Sequence, residues 1–274
     1  MTLDDASPTT SRDASPATPF RHAIVRPPGP NFADGLTTVD LGRPDYDRAL
    51  SQHAAYCAAL EKCGLELKRL PLDLRHPDST FVEDTAILTA RGAILTRPGA
   101  LSRSGEVEAI RGPLAESYED FGEIVAPGTL DGGDVCEAGD HYFIGISERT
   151  NEEGAGQLAI LLAAAGIPSA NVDIRGIPGI LHLKSGIAYA GEGRLVAIEA
   201  LAGHPAFRSF QVVPVSPGEE YAANLIRVND HVLFAAGHPR LAKTLTALGY
   251  ELIPLEMSEF QKMDGGLSCL SLRF

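Results

Sequence analysis

Short apolar segments running into a proline recur five times along the chain, at Leu67–Pro71, Ile124–Pro127, Ile174–Pro178, Val212–Pro214 and Leu252–Pro254. Each is followed by a polar or glycine-rich stretch. After most of them comes apolar alternation at period two, which predicts a strand pair. The pairs are Thr85–Leu88 with Ala93–Thr96, Gly133–Cys136 with Tyr142–Ile146, Ser185–Ala190 with Leu195–Ile198, and Ala223–Val228 with His231–Ala235. Arg91-Gly92, Ala138-Gly139-Asp140, Gly191-Glu192-Gly193 and Asn229-Asp230 supply the turns between them.

Helical spacing completes most units. Tyr46–Lys62 closes at Gly64. Leu158–Ala165 follows Asn151 as N-cap, carries Glu152 and Glu153 in its first turn, and stops at Gly166. Leu241, Leu245 and Leu248 recur on one face before Gly249. Ala202–Ser209 is a weaker helical segment.

The repeated unit is therefore strand, polar turn, two strands, helix. The fifth unit is cut short: after Met263–Cys269 only Leu270–Phe274 remains. The unmatched segment His22–Val25, followed by Pro27, completes it and removes exposed sheet edges. The pattern predicts an α/β fold closed into a five-fold ring. An open α/β sheet that uses proline after its strands is the competing architecture.

Composition narrows the partners. The 274 residues carry 23 Lys plus Arg against 36 Asp plus Glu, a formal charge of −13. Nucleic acid and anionic membrane surfaces are disfavoured, because both need a basic face. The chain is 44% hydrophobic, which suits a globular fold, and no apolar run reaches the ~18 residues of a membrane span. Cys57, Cys63, Cys136 and Cys269 form no CxxC pair and no zinc spacing, which points to a reducing, cytoplasmic setting. Residues 1–19 are rich in Ser, Thr, Pro and Asp and lack a signal-peptide pattern, so they read as a solvated tail before a single domain at 20–274.

The segments after the prolines hold the unusual polar groups. They are HPDSTFVEDTA with Asp78, Glu83 and Asp84, GTLDGGDV with Asp131 and Asp134, and GILHLKSG with His182. The fourth is EEYAANLI with Glu219, Glu220 and Asn224, and the fifth MDGGLSCLS with Asp264 and Cys269. If equivalent segments face the ring axis, these groups converge on one cavity. Each also has a plain structural reading. A lone cysteine is commonly a small buried apolar residue. A histidine between leucines is commonly a hydrogen-bonded core residue. Asp-Gly-Gly-Asp is compatible with a capped turn, and without a following Lys-Ser/Thr it is no phosphate loop.

Together HAIVRPPGP, HPDSTFVEDTAIL, LTRPGALSR, GTLDGGDV, FIGISERTNEEGA, LHLKSG and MDGGLSCLS resemble the dimethylarginine dimethylaminohydrolase family of the guanidino-group-modifying (pentein) superfamily. The resemblance implies a five-bladed, pseudo-symmetric α/β propeller closed by the N-terminal strand. It implies Cys269 as nucleophile, His182 as general acid and base, and Asp131 as the carboxylate that positions the histidine. Asp78, Glu83 and Asp84 correspond to acids that bind the guanidinium and the rest of the substrate, with Met263 beside them. Arg103 and Arg149 correspond to the groups that hold the α-carboxylate. The loop Pro28–Leu36 corresponds to a lid, richer here in glycine and proline.

The implied reaction converts Nω,Nω-dimethyl-L-arginine and water to L-citrulline and dimethylamine, or the monomethyl compound to methylamine, with no cofactor and no metal. The implied partner is a small cationic guanidino amino acid. A homodimer is an assembly the resemblance allows. Rival readings are an arginine deiminase or citrulline hydrolase on the same scaffold, and a non-enzymatic propeller-shaped binding protein.

Overall fold

The computed structural model describes residues 19–274, so the expected tail lies outside the described residues except for Pro19. Five three-stranded sheets are arranged with one internal pattern. In each, a first strand pairs antiparallel with a second, and the second pairs parallel with a third. Four sheets take these strands in chain order. They are Ala86–Thr89, Gly92–Leu95 and Phe121–Glu123; Val135–Ala138, His141–Ile146 and Ser169–Asp173; Ile187–Gly191, Arg194–Ala197 and Gln211–Pro214; and Ile226–Val228, His231–Ala235 and Glu251–Leu255.

The remaining sheet joins distant parts of the chain. Leu272–Arg273 pairs antiparallel with His22–Val25, which pairs parallel with Glu66–Arg69. The ring is closed by the N-terminal strand, as the sequence predicts. The architecture is the five-bladed α/β propeller.

A parallel connection needs a crossover, and helices supply it. Tyr46–Lys62 links the first blade's strands, and Asp45 caps it by accepting the Arg48 N–H at 2.8 Å. Glu152–Ala164 is capped by Asn151, which accepts the Gly154 N–H at 2.8 Å. Pro239–Ala247 buries Leu241 and Leu245 against its sheet. The weak segment near Ala202–Ser209 resolves into two short pieces, Glu199–Ala202 and Pro205–Phe207. A helix at Glu108–Ala115 has no counterpart in the sequence reading. The Tyr56 hydroxyl shares a 2.6 Å hydrogen bond with Ser271, tying the first crossover helix to the closing strand.

One difference from the sequence reading is systematic. The predicted inner strands begin too early, because the polar segments fold as single helical turns: Pro77–Thr80, Val82–Thr85, Gly132–Asp134, Leu183–Gly186, Glu220–Ala223 and Ser268–Leu270. These turns connect the outer strand of one blade to the inner strand of the next. They therefore gather at one end of the ring.

Candidate active site

A cavity of about 30 Å³ is lined by Leu36, Asp78, Phe81, Asp84, Arg103, Arg149, Leu181, His182, Met263, Asp264, Gly265 and Cys269. Seven of the nine residues predicted for the site are in that lining. Asp131 and Glu83 stand behind it. Leu36, Phe81, Leu181 and Gly265 carry no titratable side chain, so no chemical motif marks them.

His182 sits at the entrance to the turn Leu183–Gly186. Its Nε2 lies 3.1 Å from Oδ2 of the fully buried Asp131, whose Oδ1 accepts the Gly99 N–H at 2.7 Å. The double glycine of the Asp-Gly-Gly-Asp segment is a packing requirement. A Cβ at Gly132 would lie 2.0 Å from the Glu83 carbonyl oxygen, and one at Gly133 would lie 2.6 Å from Nδ1 of His182. The segment is thus a close-packed turn that lets an imidazole lie on its backbone.

The carboxylates divide by partner. Asp84 accepts the Gly133 N–H at 2.8 Å and pairs with Arg103. Burial opposes its charge, but Arg103 and His182 prevail and hold it down near about 2. Asp78 accepts the Leu36 N–H on both oxygens, and burial pushes its pKa up against the pull of Arg103. Glu83 faces away from the cavity: Lys184 holds one oxygen at 2.6 Å and the Ser268 hydroxyl the other at 2.8 Å. Asn224 completes that group by accepting the Ser268 N–H and donating to its hydroxyl and to the Lys184 carbonyl. The fourth segment was expected to bring its acids inward. It delivers only Asn224, since Glu219 binds Arg240 and the Leu241 N–H, and Glu220 binds the Gly218 N–H.

The two arginines also differ. Arg103 is buried and committed to Asp84, Glu106 and the Phe81 carbonyl. The Arg149 guanidinium makes no hydrogen bond or ion pair among the described residues and faces the same cavity, with Asp78 near enough to feel its charge.

Cys269 is half-buried, and its Sγ accepts the Gly266 N–H at 3.4 Å. Burial, then Glu83 and Asp84, push its thiol up to about 12. Burial alone would lower the pKa of His182, but Asp84, Asp134 and Asp131 together raise it to about 9. At neutral pH the cavity therefore holds both an imidazolium and a neutral thiol. Asp84, Asp131 and His182 offer atoms within 4.8 Å of one another that could ligate a metal ion. The imidazolium already supplies the positive charge that such a cluster needs.

The loop over the cavity is held at two carboxylates. Asp78 takes Leu36, and Asp264 takes both the backbone N–H and the hydroxyl of Thr38. Beyond Leu181 and Asp264, which line both, lies a larger cavity of about 350 Å³ with Thr38, Val39, Glu148 and Arg175 in its wall. The inner space has room for a water molecule or two. No helix among the described residues is long and apolar enough to cross a membrane.

No family model matches the chain. It is 45% identical over 256 residues, 93% of its length and 100% of the relative's, to N(G),N(G)-dimethylarginine dimethylaminohydrolase from Pseudomonas aeruginosa. It is 35% identical over 258 residues, 93% and 97% of the two lengths, to the protein of that name from Streptomyces coelicolor. Among solved structures it is similar to a cysteine-to-serine mutant of the Pseudomonas aeruginosa enzyme complexed with citrulline, with a TM-score of 0.91 and 44% identity over 94% of this chain and 100% of the other.

Proposed function

The chain belongs to the dimethylarginine dimethylaminohydrolase family, and from that membership and the geometry of its site we propose that it hydrolyses Nω,Nω-dimethyl-L-arginine to L-citrulline and dimethylamine. One observation carries the assignment of roles. A half-buried thiol and a carboxylate-held imidazole share a cavity with Asp78 and Asp84, and Arg149, whose guanidinium is unpaired among the described residues, faces it.

A guanidinium is planar, cationic and a poor electrophile. Carboxylates bind its N–H groups and fix its plane. The Cys269 thiolate attacks the central carbon and forms a C–S bond, giving a tetrahedral adduct. His182 protonates the dimethylamino nitrogen, the C–N bond breaks, and neutral dimethylamine leaves. The remaining S-alkylthiouronium is attacked by water, whose proton passes to His182. Collapse of that second adduct breaks the C–S bond, yields the ureido group of citrulline and restores Cys269. Monomethyl-L-arginine gives methylamine by the same steps.

Asp131 orients His182. Glu83 acts at one remove, holding Ser268 and Lys184 and so the turn that carries Cys269. Arg149 anchors the α-carboxylate, and Arg103 braces the wall that Asp84 belongs to. A reducing cytoplasm suits four free cysteines and belongs to this reading, as does a homodimer.

A substrate panel tests it. Dimethylarginine and monomethylarginine should yield ureido product faster than arginine or citrulline is consumed. Agmatine lacks the carboxylate that Arg149 would hold, so its kcat/KM should fall by about 10- to 100-fold. Preference for arginine or citrulline would overturn the assignment.

The resting protonation state carries a second expectation. His182 is already charged, so it cannot accept the thiol's proton in the free enzyme. A guanidinium bound in the cavity adds a positive charge beside Asp84, which with burial and Glu83 holds the thiol up, and the thiol's proton is then lost to solvent. The alkylation rate of Cys269 against pH should shift to lower pH when a non-reactive guanidinium ligand that leaves the sulfur accessible is bound. An unshifted profile would sink substrate-assisted ionisation.

A further inference from the structure

Asp134 is fully buried, does not line the cavity and has no part in the steps above. Its carboxylate nevertheless reaches both ends of the site. Oδ1 accepts the N–H of Leu183, the neighbour of His182, at 2.9 Å. Oδ2 accepts the hydroxyls of Ser147 at 2.6 Å and Thr150 at 2.7 Å. Both lone pairs of the Ser147 hydroxyl and one of Thr150's are already in use. Ser147 accepts the N–H groups of Arg149 and Thr150 at 3.0 and 3.1 Å, and Thr150 accepts the Asp131 N–H at 3.1 Å. Ser147 therefore has only its proton left to direct at Asp134, and Thr150 directs its proton there as well. Three donors converging on one carboxylate favour its ionised form, although burial pushes it up to about 6.

We propose that Asp134 is a positioning residue that locks the His182 turn to the Ser147–Thr150 turn. It thereby sets the distance between the general acid–base and the carboxylate anchor Arg149. Through Leu183 it holds His182, through Ser147 it holds Arg149, and through Thr150 it holds Asp131, the imidazole's own partner. This rests on the roles given above to His182, Asp131 and Arg149. The Ser147–Thr150 turn lies within one blade and the His182 turn leads from it into the next, and a displacement of about 1 Å between such groups costs on the order of 10²-fold in rate.

The test compares wild type, Asp134→Asn, Ser147→Ala, Thr150→Val and Thr150→Ser on dimethylarginine from pH 6 to 10, with the folded fraction measured in parallel. Wild-type hydrolysis is established first, so its absence would refute the assigned function and not this role for Asp134. An asparagine NH2 cannot accept a hydroxyl proton, so Asp134→Asn should lower kcat/KM by about 10²-fold. The charged groups facing the imidazole are Asp84, Asp131 and Asp134, with Cys269 across the cavity. Loss of one of those charges should move the alkaline limb of the kcat profile down by about one pH unit.

The hydroxyl variants should split. Ser147→Ala acts through Arg149 and should raise KM by roughly tenfold with kcat nearly unchanged. Thr150→Val acts through Asp131 and should lower kcat by roughly tenfold with little change in KM, and Thr150→Ser should restore it. If Asp134→Asn does not fold, this split carries the test alone. Activity of Asp134→Asn within about threefold of wild type with an unmoved profile would overturn the proposal. So would equal changes of kcat and KM in both hydroxyl variants, or losses that merely track the unfolded fraction.

Discussion

Replacing Cys269 with serine is expected to cut citrulline formation by at least about 10⁴-fold while the protein stays folded. A serine hydroxyl has nothing in this cavity to ionise it. The imidazole that would take its proton is itself protonated up to about pH 9, and burial with the charges of Glu83 and Asp84 opposes ionisation there. Sulfur escapes this difficulty because a thiol held near 12 by burial and by Glu83 and Asp84 returns toward neutrality when a cation arrives. A hydroxyl would start several pH units higher. The fold should tolerate the change, because Cys269 is half-buried and its Sγ makes one long contact with the Gly266 N–H. Product assays on protein with an unchanged thermal melt check this. Activity within tenfold of wild type would remove Cys269 from the mechanism.

His182→Ala is the second large loss, about 10²- to 10⁴-fold, because one imidazole acts in two steps. It donates to the leaving amine and later accepts from water. With a substrate analogue whose leaving group needs no proton, the variant should load Cys269 and then stall, which mass spectrometry would detect as a persistent adduct. Rapid release of that adduct would assign water activation elsewhere.

The same substitution has a pH signature in stability. The folded pKa of His182 is raised to about 9 from 6.5, so its charge stabilises the fold fully below about pH 6.5 and loses that effect as pH rises through 9. The contribution is on the order of 3 kcal/mol. The Tm gap between wild type and His182→Ala should therefore be wider at pH 6 than at pH 9.5. An equal gap at both would mean that Asp84, Asp131 and Asp134 do not stabilise a charged imidazole.

The five-fold plan was legible because outer strands and crossover helices have strong periodicity. Tyr46–Lys62 and the cap Asn151 are local chemistry. The site-bearing turns were not legible as turns. An apolar residue every second position reads as a strand, and a single helical turn of three or four residues is too short to show a 3.6 period. Hence the strand at Ile187–Gly191 was expected from Ser185, although Leu183–Gly186 is helical. The resemblance placed both Glu83 and Arg103 at the substrate; Arg103 lines the cavity with its guanidinium committed to Asp84 and Glu106, and Glu83 stands behind it. Which partner claims a charged group is settled by packing: Lys184 and Ser268, far along the chain, claim Glu83, while distant Asp84 and the near neighbour Glu106 claim Arg103. Arg149 stands apart from Arg103 for that reason and no reason visible in its own segment.

The blade that joins His22–Val25 to Leu272–Arg273 is assembled from strands about as far apart in sequence as the ring allows. During synthesis its first strands emerge early and must wait for their partner while four other blades are made. Cys269 lies in the turn just before that last strand. A partly made ring therefore has its acids and its imidazole but no thiol to attack with, and the most demanding loop closure in the molecule coincides with the arrival of the nucleophile. Chain order thus places the reactive sulfur after every other residue that lines its cavity.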